Sequence, residues 1–178
     1  MNNGVFPLPK EKTQGINIIF LDVDGVLNCE TTKDRCGRYV GIEDQKVSYL
    51  KEIVDTCHAK IVLVSTWKEF WKKEPYKKHQ DYLANYLDHK LAKQGLKIVD
   101  KTTDYNGLSN RGAGIQEYLS FLKTNEILVN NYVILDDLIF DYLKTKLTKN
   151  LVKTNYDKGG LQPIHVKKAI RILNEGYH

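Results

Sequence analysis

A chain of 178 residues has room for one domain of ordinary size and little material for a second core. With 42% hydrophobic and 28% charged residues its composition is that of a folded globular protein, which excludes a disordered or fibrous chain. The formal net charge of +5 favours anionic partners without naming one, and no apolar run approaches the roughly 20 residues that span a bilayer, so no membrane partner is expected.

Residues 1–15 are rich in Asn, Gly, Pro and Lys and lack the apolar stretch of a secretory signal. A flexible arm is therefore expected over 1–15, and a single domain over 16–178. The three cysteines, Cys29, Cys36 and Cys57, are odd in number and lack the CxxC pairs of a structural zinc site. Reduced thiols and a cytoplasmic location are the expectation.

In chain order, Ile16–Val23 (INIIFLDV) is a nearly unbroken apolar, β-rich run, as a buried parallel strand requires. A polar loop follows. Val47, Leu50, Ile53, Val54 and Cys57 then recur at helical spacing and predict a helix over Glu43–His58. Lys60–Val64 reads as a second buried strand. Pro75 divides the next, lysine-rich segment into a short piece and a longer helix marked by Leu83, Leu87 and Leu91, with Gly95 as its C-cap. Leu96–Val99 is a candidate strand and Asp100–Gly114 the longest candidate loop. Ile115, Tyr118, Leu119 and Leu122 predict another helix, Tyr132–Leu135 a strong strand, and Leu151–Thr154 a weaker one. The last helix starts near Pro163 and buries Val166, Ala169, Ile170 and Leu173.

This alternation predicts an α/β fold: a central parallel sheet covered by helices on both faces, a Rossmann-like three-layer sandwich. In such folds ligands bind at the carboxyl edge of the sheet. What stands at the strand ends therefore decides the function.

The first strand ends in Asp22-Val23-Asp24-Gly25. Residues two apart on an extended segment project to one side, so both carboxylates can meet one site. Two neighbouring acids repel unless a cation or a shared proton intervenes, and a hard divalent ion such as Mg2+ suits them. Gly25 lets the chain turn. The second strand ends in Ser65-Thr66-Trp67, where hydroxyls and a helix start can hold phosphate. The third ends in Asp136-Asp137, with Asp141 one turn beyond. Ordinary turns and helix caps account for any one of these ends alone. Two acidic pairs and a hydroxyl pair at one edge point instead to phosphoryl chemistry.

Taken in order, FLDVDGVLN, IVLVST and VILDD resemble the haloacid dehalogenase (HAD) superfamily of phosphohydrolases. The resemblance implies that Asp22 is the nucleophile, forming an aspartyl phosphate, and that Asp24 is the general acid and base. It implies that Ser65, with Thr66, holds the phosphoryl group. Asp136 would bind Mg2+ with Asp137 or Asp141 assisting, and the Asp22 side chain and Asp24 carbonyl would complete the shell. The family also needs a cation before its last motif. Arg111 is the candidate, with Lys101 and Lys123 as alternatives. The motifs IVLVSTW, the RG-x-x-I helix and the late GGL are similar to the phosphatase domain of Swiss-army-knife RNA repair proteins, here without a recognisable ligase, kinase or phosphodiesterase. That similarity implies phosphorylated RNA or DNA ends, or nucleotides, as substrates.

About 15 residues separate Asn28 from the next helix, too few for an inserted cap domain, so an open site is expected. Trp67, Phe70 and Trp71 beside Lys68 could stack bases or anchor the core. Between Trp67 and Lys101 nine lysines stand against five acids, a local net charge of +4. Two other readings stay open: a HAD phosphatase of small metabolites or phosphoproteins, and a non-catalytic scaffold binding nucleic acid or protein. The oligomeric state has no signature in the sequence.

Overall fold

The computed structural model describes residues 15–69, 71–73, 81–103 and 110–175. The arm expected over 1–15, Phe70, Pro75 and most of the polar stretch around 104–109 lie outside the described residues, apart from Gly15. Five parallel strands form the central sheet: β1 (Ile16–Leu21), β4 (Ala59–Leu63), β5 (Ile98–Lys101), β6 (Val129–Asp136) and β7 (Leu151–Lys153), in the order β5-β4-β1-β6-β7. Two two-residue strands, β2 (Arg35–Cys36) and β3 (Tyr39–Val40), pair antiparallel as a separate ribbon. The helices are α1 (Asp44–Cys57), α2 (Tyr82–Ala92), α3 (Arg111–Thr124) and α4 (Pro163–Glu175).

β1 shows why the sheet is buried on both sides. Its alternate residues serve two cores, since Ile18 and Phe20 pack with Ile115 and Leu122 of α3, while Ile19 and Leu21 pack with α1, α2 and α4. All four are fully buried. The expected three layers are therefore present, with three helices on one face and α3 on the other.

α1 lies within one residue of its expected ends and α4 starts at Pro163 as expected, whereas α2 ends at Ala92 with Lys93, not Gly95, as its C-cap. On α4 the buried set is Val166, Ala169, Ile172 and Leu173, and Ile170 sits at the margin of the core. α3 begins four residues before the first apolar marker. Its opening turn, Arg111-Gly-Ala-Gly, packs by being small: a Cβ on Gly112 would strike the side chains of Thr145 and Asp141.

Register sets the site. Phe20 lies between Val62 and Ile134, and Leu21 between Leu63 and Leu135. The next residues, Asp22, Val64 and Asp136, thus emerge at one level, with Ser65 one residue beyond Val64. The Asp22 amide donates to the Leu135 carbonyl at 2.9 Å, and the Val64 amide to the Leu21 carbonyl at 3.0 Å. Asp22, Ser65 and Asp136 consequently leave the sheet together at its carboxyl edge.

No cap domain is present among the described residues; the insertion between β1 and α1 holds only the ribbon. No described helix is long and apolar enough to cross a membrane. The three cysteines are buried and unpaired.

Candidate active site

At the carboxyl edge, carboxylate oxygens of Asp22, Asp136 and Asp137 lie within 4.8 Å of one another. Asp22 and Asp136 are buried, and Asp137 is partly so. Three like charges so close in a poorly hydrated place are costly, and the protein offsets this from below with one cation. Nη1 of Arg111, in the first turn of α3, stands 2.9 Å from Asp22 Oδ2 and 2.7 Å from Asp136 Oδ2. Its guanidinium lies 4.2 Å above the Phe140 ring, which fixes the plane from the other side. The Tyr142 hydroxyl donates to Asp136 Oδ2 at 2.7 Å, and the Leu138 amide donates to Asp136 Oδ1 at 2.9 Å. Asp136 is thus fully held.

Asp22 is not. Its Oδ1 is buried with no hydrogen-bond partner. Burial first, and the charge of Asp136 second, push its carboxyl up to about 6, against the opposing pull of Arg111 and the Ser65 hydroxyl. Burial also raises Asp136 and Asp137. A buried oxygen without a partner calls for a ligand. Three carboxylates against one guanidinium leave two negative charges when all are ionised. The donor set is all oxygen, as a hard divalent cation prefers. Asp22, Asp136 and Asp137 form a candidate metal site.

Asp24, two residues on, lives in another environment. It is exposed, and each of its oxygens has a donor: Asn28 Nδ2 at 2.8 Å to Oδ1, and Trp67 Nε1 at 2.9 Å to Oδ2. Asn28 also accepts the Gly25 amide through Oδ1 at 2.9 Å, and the buried Thr154 hydroxyl donates to the Gly25 carbonyl at 2.7 Å, so the turn is tied from both sides. Gly25 has φ of 73°, and a Cβ there would run into the Asp137 carboxyl. Only glycine fits both demands.

The other sequence candidates divide. Ser65 is buried beside Asp22, its Oγ accepting weakly from the Trp67 amide at 3.4 Å. Thr66 is exposed at the start of a 3-10 turn covering Thr66–Glu69. Asp141 does not join the acid cluster. Its oxygens accept from the amides of Gly112 at 2.6 Å and Ala113 at 3.0 Å, capping α3 and thereby seating Arg111. Lys68 is buried, donating to Thr102 Oγ1 at 2.9 Å and the Thr103 carbonyl at 3.3 Å. Lys101 donates to the carbonyls of Lys68 and Trp71, and Lys123 sits in the last turn of α3, remote from its Arg111 end.

The stacking role considered for the tryptophans meets a structural obstacle. Trp71 is 1% exposed with its indole N–H on Asp88, and Trp67 is 6% exposed. The basic stretch is also less free than its formula: Lys90 bridges Asp34 and Asp44, and Lys73 pairs with Asp100.

Tyr142, Asn28 and Thr154 escaped the sequence reading. Asn28 stood inside the FLDVDGVLN motif, four residues after Asp24, where a turn brings it back; Tyr142 and Thr154 reach the site only through tertiary folding.

The family model of the HAD domain in Swiss Army Knife RNA repair proteins matches residues 18–166. The chain belongs to that family. The matched span begins inside β1 and ends in α4, so this HAD domain contains every residue of the cluster. No curated protein and no solved structure matches the chain.

Proposed function

We propose that the protein is a magnesium-dependent phosphatase that transfers a phosphoryl group to Asp22 and then to water, acting on phosphorylated RNA ends. The observation that carries the reading is the pair of unlike acids on one strand end: Asp22 buried against Arg111 with an unsatisfied oxygen, and Asp24 exposed and doubly held.

Asp22, Asp136 and Asp137 would hold the ion, with the Asp24 carbonyl as a further ligand. Bound there, Mg2+ supplies positive charge to a phosphoryl oxygen. Asp22 attacks phosphorus; the new O–P bond forms as the bond to the leaving oxygen breaks. Asp24, at the mouth, gives that oxygen its proton. The resulting carboxylate then takes a proton from a water molecule, whose oxygen attacks the aspartyl phosphate and releases inorganic phosphate and free Asp22. Arg111 steadies Asp22 and Asp136 throughout, and the Ser65 hydroxyl, with Thr66, faces the transferring group. The role of Asp141 is to place Arg111. Lys68 and Trp67, both buried, serve the site by position: Lys68 ties the 3-10 turn to the end of β5, and Trp67 holds Asp24.

RNA ends as the substrate class rest on the family, whose members are domains of RNA repair proteins, and on the absence of a cap domain among the described residues, which leaves the mouth open to a polymer. The test is phosphate release, with Mg2+, from 3′- and 5′-phosphorylated oligonucleotides of RNA and DNA, mononucleotides, sugar phosphates and a phosphopeptide. A clear preference for an RNA end is expected. Equal or better turnover of a metabolite or phosphopeptide would move the protein to another branch of the same chemistry.

A further inference from the structure

The ribbon β2–β3 has no counterpart in the sheet and adds nothing large to either core. It stands in the crossover from β1 to α1, which starts at the carboxyl edge, and it is fastened there by α2. The Tyr86 hydroxyl donates to Asp34 Oδ2 at 2.9 Å and accepts from the Ile42 amide at 2.8 Å. The Tyr86 ring lies 6.4 Å from the Trp67 ring, whose indole N–H is on Asp24. Ribbon, α2 and the mouth of the site are thus one connected wall.

Two large aromatic side chains of that wall are left in solvent. Tyr39 of β3 is 38% exposed and Tyr82 of α2 is 51% exposed. Their rings are 6.5 Å apart and inclined at 42°. Tyr82 lies one helical turn before Tyr86 on the same face of α2, hence one turn from the contact with Trp67. The ribbon turn is pressed against it, since a Cβ on Gly37, whose φ is 59°, would come 3.2 Å from the Tyr82 ring. Arg38 lies 5.1 Å over Tyr39 and donates to its hydroxyl at 3.0 Å. Lys33, Arg35 and Arg38 are all exposed on this insertion. The neighbouring acids are engaged: Asp34 with Lys90, and Asp81 with the first amides of α2.

We infer that Tyr39, Tyr82 and Arg38 form a stacking platform that holds bases of single-stranded RNA a short way in from the phosphorylated end. Aromatic faces accept any base, and arginine adds cation–π and phosphate contacts, so such a surface binds strand without reading sequence. The exposed cations match the charge of the backbone. The inference deepens the phosphatase reading and rests on it for the end that is presented; the contact itself rests on the ribbon.

Binding is measured without turnover, by fluorescence anisotropy in EDTA, using RNA octamers phosphorylated at one end and labelled at the other. The Tyr39→Ala/Tyr82→Ala protein should bind about tenfold more weakly than wild type, as loss of base stacking predicts. The Tyr39→Phe/Tyr82→Phe protein, which keeps the rings, should bind as wild type does. An abasic residue should weaken binding at an internal position more than at the terminus. Unchanged affinity in the alanine protein, equal loss in the phenylalanine protein, or tighter platform-dependent binding of a phosphoserine peptide would overturn the inference. Turnover of an aryl phosphate with Mg2+ is followed in parallel. Its absence from the wild type would defeat the phosphatase reading while leaving the platform standing, and in the alanine protein it should be unchanged.

Discussion

Two carboxylates two residues apart, Asp22 and Asp24, sit in opposite surroundings. The first is on the floor of the site, buried between strands, with its carboxyl pushed up to about 6 and a guanidinium against one oxygen. The second is at the mouth, in solvent, with an indole and an amide each donating to it. Asp22 directly follows β1, whereas Asp24 already belongs to the turn that includes Gly25 and stands at the surface. The lesson is that two identical side chains on one strand end are made different by their surroundings, and the proposed mechanism gives them different roles on that ground: attack on phosphorus for the buried acid, proton transfer for the exposed one.

The sharpest way to test that division is to disable the mouth alone. Asp24→Asn should lower kcat by about a thousandfold, the scale of lost proton transfer, with little change in KM. A matching rise in KM with kcat intact would make Asp24 a binding group.

Next in size is removal of the floor's cation. Arg111→Ala leaves Asp22 and Asp136 buried without their partner and should cost about 3 kcal/mol in denaturant unfolding. A cost near that of a surface substitution would mean the carboxylates are better hydrated than their burial indicates.

A third test uses pH. Asp22 is raised in the folded protein relative to its ordinary value, so between about pH 4 and 6 the folded state holds a proton that the unfolded chain has lost. The stability of the metal-free protein should therefore fall as pH rises through that window and level off above it. Asp22→Asn removes this charge, so at pH 7 without metal the variant should be more stable than wild type by on the order of 2 kcal/mol. Thermal unfolding in EDTA reads this directly, and a less stable variant would remove the account of strain on the floor. The smallest expected effect belongs to Trp67→Phe. It keeps the ring in the wall and loses only the donor to Asp24, and kcat should drop about tenfold, the scale of one charge-assisted hydrogen bond. An unchanged rate would leave Trp67 a core residue alone.

The floor was more legible in the sequence than the mouth, for a physical reason. Buried strands announce themselves by apolar runs, and acids immediately after such runs must share an edge once the strands are parallel. That logic reached Asp22, Ser65 and Asp136 without a structure. It could not choose between Asp137 and Asp141, because spacing permits both. In the folded chain the opening amides of α3 claim Asp141, and it is Asp137 that joins the acid cluster. Nor could it see the ribbon, where strands of two residues carry no period and depend on the Tyr86 hydroxyl and the Gly37 turn. The indole N–H of Trp67 shows the same limit: an aromatic next to lysines suggests stacking, whereas the folded chain uses its edge to hold an acid.

In the proposed mechanism Asp22 would receive a phosphoryl group beside a cation held with Asp136 and Asp137. The most direct measurement is phosphate release from an aryl phosphate by wild type and by Asp22→Asn, each with Mg2+ and with EDTA. Release by the wild type only with Mg2+, and none above background by Asp22→Asn, is the predicted result. Comparable release by Asp22→Asn, or by wild type in EDTA, would contradict it.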